Sequence, residues 1–363
     1  EWGVFRLPEG VEPDVEPDEV SKEDGERIAG DTEESVFEAV GLPWIPPVVR
    51  ENRGEIASAR DGSLPGLVTL DDIRGDLHMH STVSDGTKRP VELAGLAGKV
   101  GLGAIALTDH DTTEGLSSCA KACEIAGVAF VPGIEISVDP WVPSATEGSV
   151  PGQRQGTLHI LGLFVRHDDP ELQKVHDRMR AARDSRNPAI VARLNQLGVD
   201  ISYDEVVGLA RSQGTKILGR PHIAQVLQNK GYVKSVQDAF ARYIGQGAAA
   251  YVRRDRLPAS EAIDAIHHAG GLAVLAHPIQ LGLRGPGELE HIVVRLKHLG
   301  LDGIETHHSD HQPALIQQYV AMAQKHQLLT SGGSDFHGSR KSISLGSQNV
   351  PIAVYHRLRE AWE

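Results

Sequence analysis

Cysteine is scarce in this 363-residue chain: Cys119 and Cys123 stand four apart in SSCAKACEIAG, a stretch with the small, regular look of a helix. With no second pair, a disulfide framework and a four-cysteine zinc site are argued against, and two thiols packed on one helix face are expected. Long apolar runs are missing too. Nothing approaches the ~20 residues of a membrane span, and the charged N-terminus lacks the basic-then-apolar order of a secretion signal. A cytoplasmic protein with no membrane partner is therefore expected. Histidine is absent from residues 1–66, where 17 Asp/Glu face 6 Lys/Arg, a net charge of −11. The remainder holds all 18 histidines and is nearly neutral, with 32 acidic and 30 basic residues. This shortage of positive charge argues against strong duplex DNA binding, because phosphate-backbone contacts rely on basic surface. A small phosphorylated substrate stays open. What is present is a globular composition, 40% apolar, sufficient for a large core.

Residues 12–27 (EPDVEPDEVSKEDGER) are acidic and poor in large apolar side chains, which predicts a solvated loop. In DTEESVFEAVGLPWIPP, Asp31 or Thr32 is the expected cap of a short helix ended by Gly41. ENRGEIASARDGSLPGL reads as a helix and a turn. From residue 73 onward, strand-length apolar segments alternate with helix-like stretches: AIALTDH (104–110), VAFVPGIEIS (128–137), LHILGLFV (158–165), LAVLAHP (272–278), DGIETHH (302–308) and LLTSGGSDFH (328–337). That alternation predicts a parallel sheet, and seven or so strands allow a closed barrel whose chemistry lies where the strands end.

The unusual residues fall at those ends. RGDLHMHSTVSDG places His78 and His80 on one strand, pointing to one side by the period of two, with Asp85 just beyond. His110 follows AIALTD, Glu135 ends the next strand, His159 sits on LHILG, His277 ends LAVLA, and Asp335 and His337 follow LLTSGG. Imidazoles mixed with carboxylates suit zinc, manganese or iron rather than calcium. There are too many such groups for one ion, so two or three divalent metals are expected. Paired ions roughly 3.5–4 Å apart bridge a hydroxide and stabilise both oxygens of an in-line displacement at phosphorus.

DLHMHSTVSDG, LTDHDT, GIEIS, LHILG, LAHP and GSDFH stand in the order seen in the PHP family, the polymerase and histidinol phosphatase superfamily of metal-dependent phosphoesterases, which residues 73–350 resemble. The resemblance implies an α/β fold: a distorted seven-stranded (β/α)7 PHP barrel (66–167 and 263–363) with an inserted helical subdomain (168–262) and an N-terminal extension (1–65). It implies a trinuclear centre, with manganese the first expectation and zinc, iron or magnesium as alternatives. His78, His80, Glu135 and Asp335 would hold one ion; Glu135 would bridge to a second, held also by His159 and His277; Asp85, His110 and His337 would hold the third. Hydrolysis of a phosphate ester by a metal-bridging hydroxide is the implied reaction.

TDHDTTEG, GRPHIAQVL and the insertion are similar to the branch acting on nucleoside 3′,5′-bisphosphates and short RNA ends. Within the insertion, DPELQKVHDRMRAA has a cap at Asp168 or Asp169 with Pro170 in the first turn, Ser202 to Glu205 form a capping box, and Gly198 and Gly208 punctuate. The insertion would act as a substrate-selecting lid. Its TKILGRPH stretch offers Lys216, Arg220 and His222 as phosphate contacts; Lys216 serves a solvated surface equally well. Asp109 and Asp111 flank His110, and Asp109 is a candidate proton acceptor or a loop cap. His307 and His308 match no metal position of the family, and His308 is assigned to substrate or to support of the ligands. Residues 1–65 separately resemble the end of the polymerase region of bacterial family X DNA polymerases; that family's catalytic palm would lie upstream, so DNA synthesis is not expected of these residues. Two other readings stand beside the nucleotide hydrolase: a phosphatase of a small metabolite such as histidinol phosphate, and a non-catalytic metal-stabilised domain of a polymerase.

Overall fold

The computed structural model describes residues 3–6, 25–67, 73–139, 156–213, 218–283 and 285–363. Residues 12–24 of the expected acidic loop, and Lys216, lie outside them. The chain forms two compact units, Glu1–Val68 and Thr69–Glu363. In the first, β1 (Val4–Arg6) and β2 (Glu26–Ala29) pair antiparallel. Helix α1 (Glu33–Ala39) starts at Thr32, whose side chain accepts from the Ser35 N–H, and Gly41 follows it at φ 71°. Helix α2 (Glu55–Asp61) lies between two left-handed glycines, Gly54 and Gly62.

The second unit is built on strands β3 (Arg74–Asp76), β4 (Leu102–Leu107), β5 (Ala129–Val138), β6 (Leu158–Leu163), β7 (Leu272–Leu275), β8 (Gly303–His307), β9 (Leu329–Gly332) and β10 (Val350–Pro351), in the order β10-β3-β4-β5-β6-β7-β8-β9. The sheet has one strand more than the expected seven, because the two-residue β10 adds antiparallel to β3. Beyond β3 the chain closes the sheet: Leu77 N–H donates to Gly332 O, Asp335 N–H to His78 O and His80 N–H to Phe336 O.

The expectation of a parallel sheet fails at β6, which runs antiparallel to both β5 and β7. No crossover helix joins β5 to β6 among the described residues, and parallel neighbours require such a crossover. The reversal serves the site. Ser137 near the end of β5 pairs with His159 at the start of β6, so His159 reaches the rim that Glu135 reaches from the opposite direction.

Side chains alternate across the strands. Ile105, Leu107, Ile134, Ile136 and Ile160 face outward onto α3 (Pro90–Lys99), α4 (Leu116–Ala126) and later helices, with Leu93, Ala97 and the free thiols of Cys119 and Cys123 in the same layer. Leu77, Ala104, Ala106, Val131, Leu161 and Val274 face the other way, joined by apolar residues of the C-terminal helix Ile352–Trp362 at the end away from the histidines.

The insertion opens with α5 (Pro170–Gln196), whose N-cap is Asp169 with Pro170 at the first position. Leu172, Val175 and Met179 of this helix join the barrel core, while Ile190, Val191 and Leu194 join a separate core with Val206, Ile223, Leu227 and Ile244. The junction thus lies inside α5 rather than at its start. Helix α6 (Tyr203–Ser212) has the expected Ser202–Glu205 capping box. Gly208 does not punctuate: it lies within α6, with open space where a Cβ would go. Helix α7 (Arg220–Asn229) completes the frame around the lid core. Among the described residues, no helix is long and apolar enough to cross a membrane.

Candidate metal centre

The segment after β3 is held in place by Asp76, a buried carboxylate that accepts from Ser334 N–H and Oγ–H and from Gly346 N–H. It ties the His78 segment to the Asp335 segment. Two glycines permit the approach: a Cβ on Gly333 would lie 2.3 Å from His78 N, and one on Gly86 would lie 2.2 Å from His80 O. Asp335 and His277 sit at φ 55° and 25°, conformations that non-glycine residues adopt at a cost and that cluster at functional sites.

The nine expected ligands converge. His78 Nε2 and His80 Nε2 are 3.2 Å apart; Glu135 Oε2 lies 3.4 and 3.1 Å from them, and Asp335 Oδ1 lies 3.6 and 3.2 Å from them. Atoms that share one ion at about 2.1 Å stand about 3–3.5 Å from one another. Glu135 turns its other oxygen, Oε1, to His159 Nδ1 at 2.5 Å and His277 Nε2 at 2.8 Å, and these two nitrogens are 3.3 Å apart. Asp85 lies 3.3 Å from His337 Nε2, 3.9 Å from His110 Nε2 and 3.8 Å from His80 Nδ1. His80 joins this third group as well as the first, a sharing that the family pattern does not predict.

The donors fit divalent cations better than they fit each other. His110 Nδ1 is 2.9 Å from Glu135 Oε2, yet the contact lacks hydrogen-bond geometry and, among the described residues, both buried atoms have no hydrogen-bond partner. His80 Nδ1 is likewise buried and unpartnered. Lone pairs that converge without a shared proton are the signature of a place for a positive ion. Protons take that role in the metal-free protein. Burial disfavours charged His78 and His80, but Glu305, Glu135 and Asp335 outweigh it, raising His78 well above its ordinary value and His80 to about 9. Burial likewise disfavours the charged forms of Glu135 and Asp85, and the surrounding imidazoles hold both carboxyls well below the usual range. Metal uptake must therefore expel protons. Manganese affinity is expected to be higher at pH 8.5 than at pH 6.5; titration calorimetry in buffers of different ionisation enthalpy should show proton release, and a pH-independent affinity would contradict this account.

The remaining candidates divide. Asp109 fits the loop-cap reading: its carboxylate accepts from Ser81 N–H, Ser81 Oγ–H and Ser84 Oγ–H, which ties both oxygens to the loop after His80. Of the two roles expected for His308, its contacts fit support of Asp335. It is fully buried, its Nδ1 accepts from Asp310 N–H, and its Nε2 is 3.3 Å from Asp335 Oδ2, so it orients a ligand. Arg220 and His222 stand at the start of α7 in the insertion, and His222 is within electrostatic reach of Asp85. His222 Nδ1 accepts from Gly219 N–H, its buried Nε2 has no hydrogen-bond partner among the described residues, and burial followed by the charge of Arg340 lowers its pKa to about 4. The Arg220 guanidinium lies over Phe240 and Tyr251 at 5.3 and 5.8 Å and donates to Ile244 O.

The sequence reading singled out Asp111 but not its partners, and missed Arg183, Arg186, Arg254, Glu305 and Lys341. Asp111, at φ 54°, accepts from Ser137 N–H and pairs with two buried lid arginines, Arg183 and Arg254. Buried Arg186 bonds Asn187 and, among the described residues, pairs with no carboxylate. Lys341 pairs with Asp335, and Glu305 bonds His78. Spacing carries no signal for the arginines, which reach one place from 70 residues apart; Lys341 stands directly after GSDFHGSR, where a lysine reads as ordinary surface charge.

Comparison with known proteins agrees with this geometry. Residues 76–270 match the PHP domain and residues 1–51 the DNA polymerase beta thumb. The chain is 34% identical over 271 residues to a 5′-3′ exoribonuclease of Haemophilus influenzae, covering 75% of this chain and 92% of that protein. It is 31% identical to a 3′,5′-nucleoside bisphosphate phosphatase of Chromobacterium violaceum, over 72% of this chain and 86% of that one. An amidohydrolase structure from Chromobacterium violaceum with bound sulfate superposes with a TM-score of 0.67 at 29% identity, covering 80% of this chain and 96% of the other. A closed sheet that gathers nine histidine and carboxylate side chains able to hold metal at one rim, matched over more than half of the sequence, places the chain in the PHP domain family.

Proposed function

We propose that this chain is a metal-dependent phosphoesterase acting on nucleotides that carry two phosphates, or on the phosphorylated end of a short oligonucleotide. His78, His80, Asp85, His110, Glu135, His159, His277, Asp335 and His337 would hold two or three divalent ions, with manganese the first choice. Bound there, such ions supply a water nucleophile at neutral pH and positive charge for the phosphoryl oxygens.

The observation that carries the substrate class is the arginine cluster beside the ligands. Arg183, Arg186, Arg220 and Arg254 influence one another electrostatically, yet Asp111 is the carboxylate that pairs with two of them. Burial, then the neighbouring guanidiniums, pushes Arg186 down to about 8. Buried positive charge in excess of its counter-ions favours an anion. One phosphate at the metal ligands and a second among the arginines fit a nucleoside 3′,5′-bisphosphate. They also fit an oligonucleotide whose backbone supplies the second charge. His222 contributes differently: with Nδ1 held as an acceptor, its proton sits on Nε2, a neutral donor for a substrate oxygen. The relatives named for exoribonuclease and bisphosphate phosphatase activity support this choice over a small-metabolite phosphatase.

The test is phosphate release by manganese-loaded protein from adenosine 3′,5′-bisphosphate, a 5′-phosphorylated short RNA, histidinol phosphate and an aryl phosphate. The first two are expected to be preferred. Arg220→Ala should lower kcat/KM on the bisphosphate roughly ten- to a hundredfold, since it forfeits charge-assisted bonds worth ~1.5–3 kcal/mol. The aryl phosphate should hardly change, and Arg220→Lys should recover only part. Equal losses on both substrates would move Arg220 to the phosphate being cut. Preference for histidinol phosphate would favour the metabolite reading, and no turnover of any substrate would favour a non-catalytic domain.

A further inference from the structure

Glu305 lies beside the expected ligands and belongs to none of the candidate metal groups among the described residues. It is fully buried on β8, and its two oxygens serve two different strands. Oε1 is 2.9 Å from His78 Nδ1, and Oε2 accepts the His277 backbone N–H at 2.6 Å. His78 turns its other nitrogen, Nε2, toward His80, Glu135 and Asp335. His277 follows β7 at φ 25°, a strained position for a residue with a Cβ.

We propose that Glu305 is a positioning residue that prepares His78 and His277 for metal, an inference that rests on the metal centre described above. A carboxylate has acceptors only, so His78 must keep its Nδ1 proton toward Glu305 and present the Nε2 lone pair to the ion. The same carboxylate holds the His277 backbone in its strained conformation, and so fixes where that ring starts. One side chain thereby couples two ligands that are 199 positions apart in the sequence.

The amide isostere exposes this double duty. A backbone N–H can only donate, so the Gln oxygen in Glu305→Gln is claimed by His277. The Gln NH2 then faces His78 Nδ1, which can only respond as an acceptor. That moves the His78 proton onto Nε2, where it blocks the ion. A ligand-orienting partner of this kind contributes roughly 10–100-fold to metal affinity.

The experiment measures manganese and zinc binding by calorimetry on wild type, Glu305→Gln and Glu305→Asp, with melting of each metal-free protein alongside. The Gln variant is expected to bind one ion 10–100-fold more weakly while its metal-free form melts close to wild type. The Asp variant, which keeps both acceptors one methylene short, should recover part of the affinity. Wild-type affinity and stoichiometry in the Gln variant would overturn the proposal, as would affinity losses that merely follow a lowered melting temperature in both variants. Nitrogen-15 spectra of zinc-loaded wild type probe the tautomer without any variant: the His78 proton is expected on Nδ1, and a proton on Nε2 refutes the assignment. A wild type that binds no metal at all would instead bring down the metal centre itself, and this proposal with it.

Discussion

Glu135→Ala is expected to abolish hydrolysis, with kcat/KM falling by roughly three to four orders of magnitude, equivalent to about 4–5.5 kcal/mol of transition-state stabilisation. The size follows from the division of labour between its oxygens. Oε1 approaches His159 and His277, and Oε2 approaches His78 and His80, so one substitution would disable two of the proposed ion positions. Asp85→Ala touches only the third group and should cost less. The fold should survive, because Glu135 contributes no apolar surface while its neighbours Ile134 and Ile136 pack the outer layer. Metal analysis should show fewer ions per chain than wild type, with an unchanged far-ultraviolet circular dichroism spectrum. An active Glu135→Ala protein with full metal content would mean that catalysis occurs elsewhere.

Asp111→Ala is expected to give the largest loss of stability of any single substitution at the rim, about 3–5 kcal/mol, because it strips the partner from buried guanidiniums. Arg183 comes from the insertion's first helix and Arg254 from the segment returning to the barrel, and both converge on a carboxylate 1% exposed. Without it, four mutually repelling arginines face one another under the lid. The melting temperature should fall on the order of 10 °C. Because Asp111 adjoins His110, bisphosphate turnover should fall as well. Inorganic phosphate should partly restore stability by taking the carboxylate's place. A variant that melts like wild type, with or without phosphate, would show that the arginines are solvated and that the anion pocket is not formed.

The candidate ligands stood out in the sequence because each stands in a short local motif, and the fold brings them together. His78 and His80 share a strand face through the period of two, and Asp335 and His337 follow a glycine pair that lets the chain pass close to His78. The same local logic located α1, the Ser202 capping box and the Asp169 cap. It failed where partners are remote. The sequence left Asp109 open between proton acceptor and loop cap and His308 between substrate contact and ligand support; the folded chain bonds the first to the loop hydroxyls and the second to Asp335. Nothing in ETHH marks Glu305 as the buried member of its group.

The sequence by itself determined the alternation of strands and helices and singled out the nine side chains that the fold brings to one rim, because periodicity, caps and metal-ligand chemistry are encoded within a few neighbouring residues. Only the tertiary structure decided the direction of β6, the sharing of His80 between two groups, and the junction of the two cores inside α5. It also decided the meeting of Asp111 with Arg183 and Arg254 across 72 and 143 positions. Strand direction depends on how a connection crosses the sheet, and the pairing of buried charges depends on which distant elements exclude water together. Neither quantity exists until the chain has closed around its core.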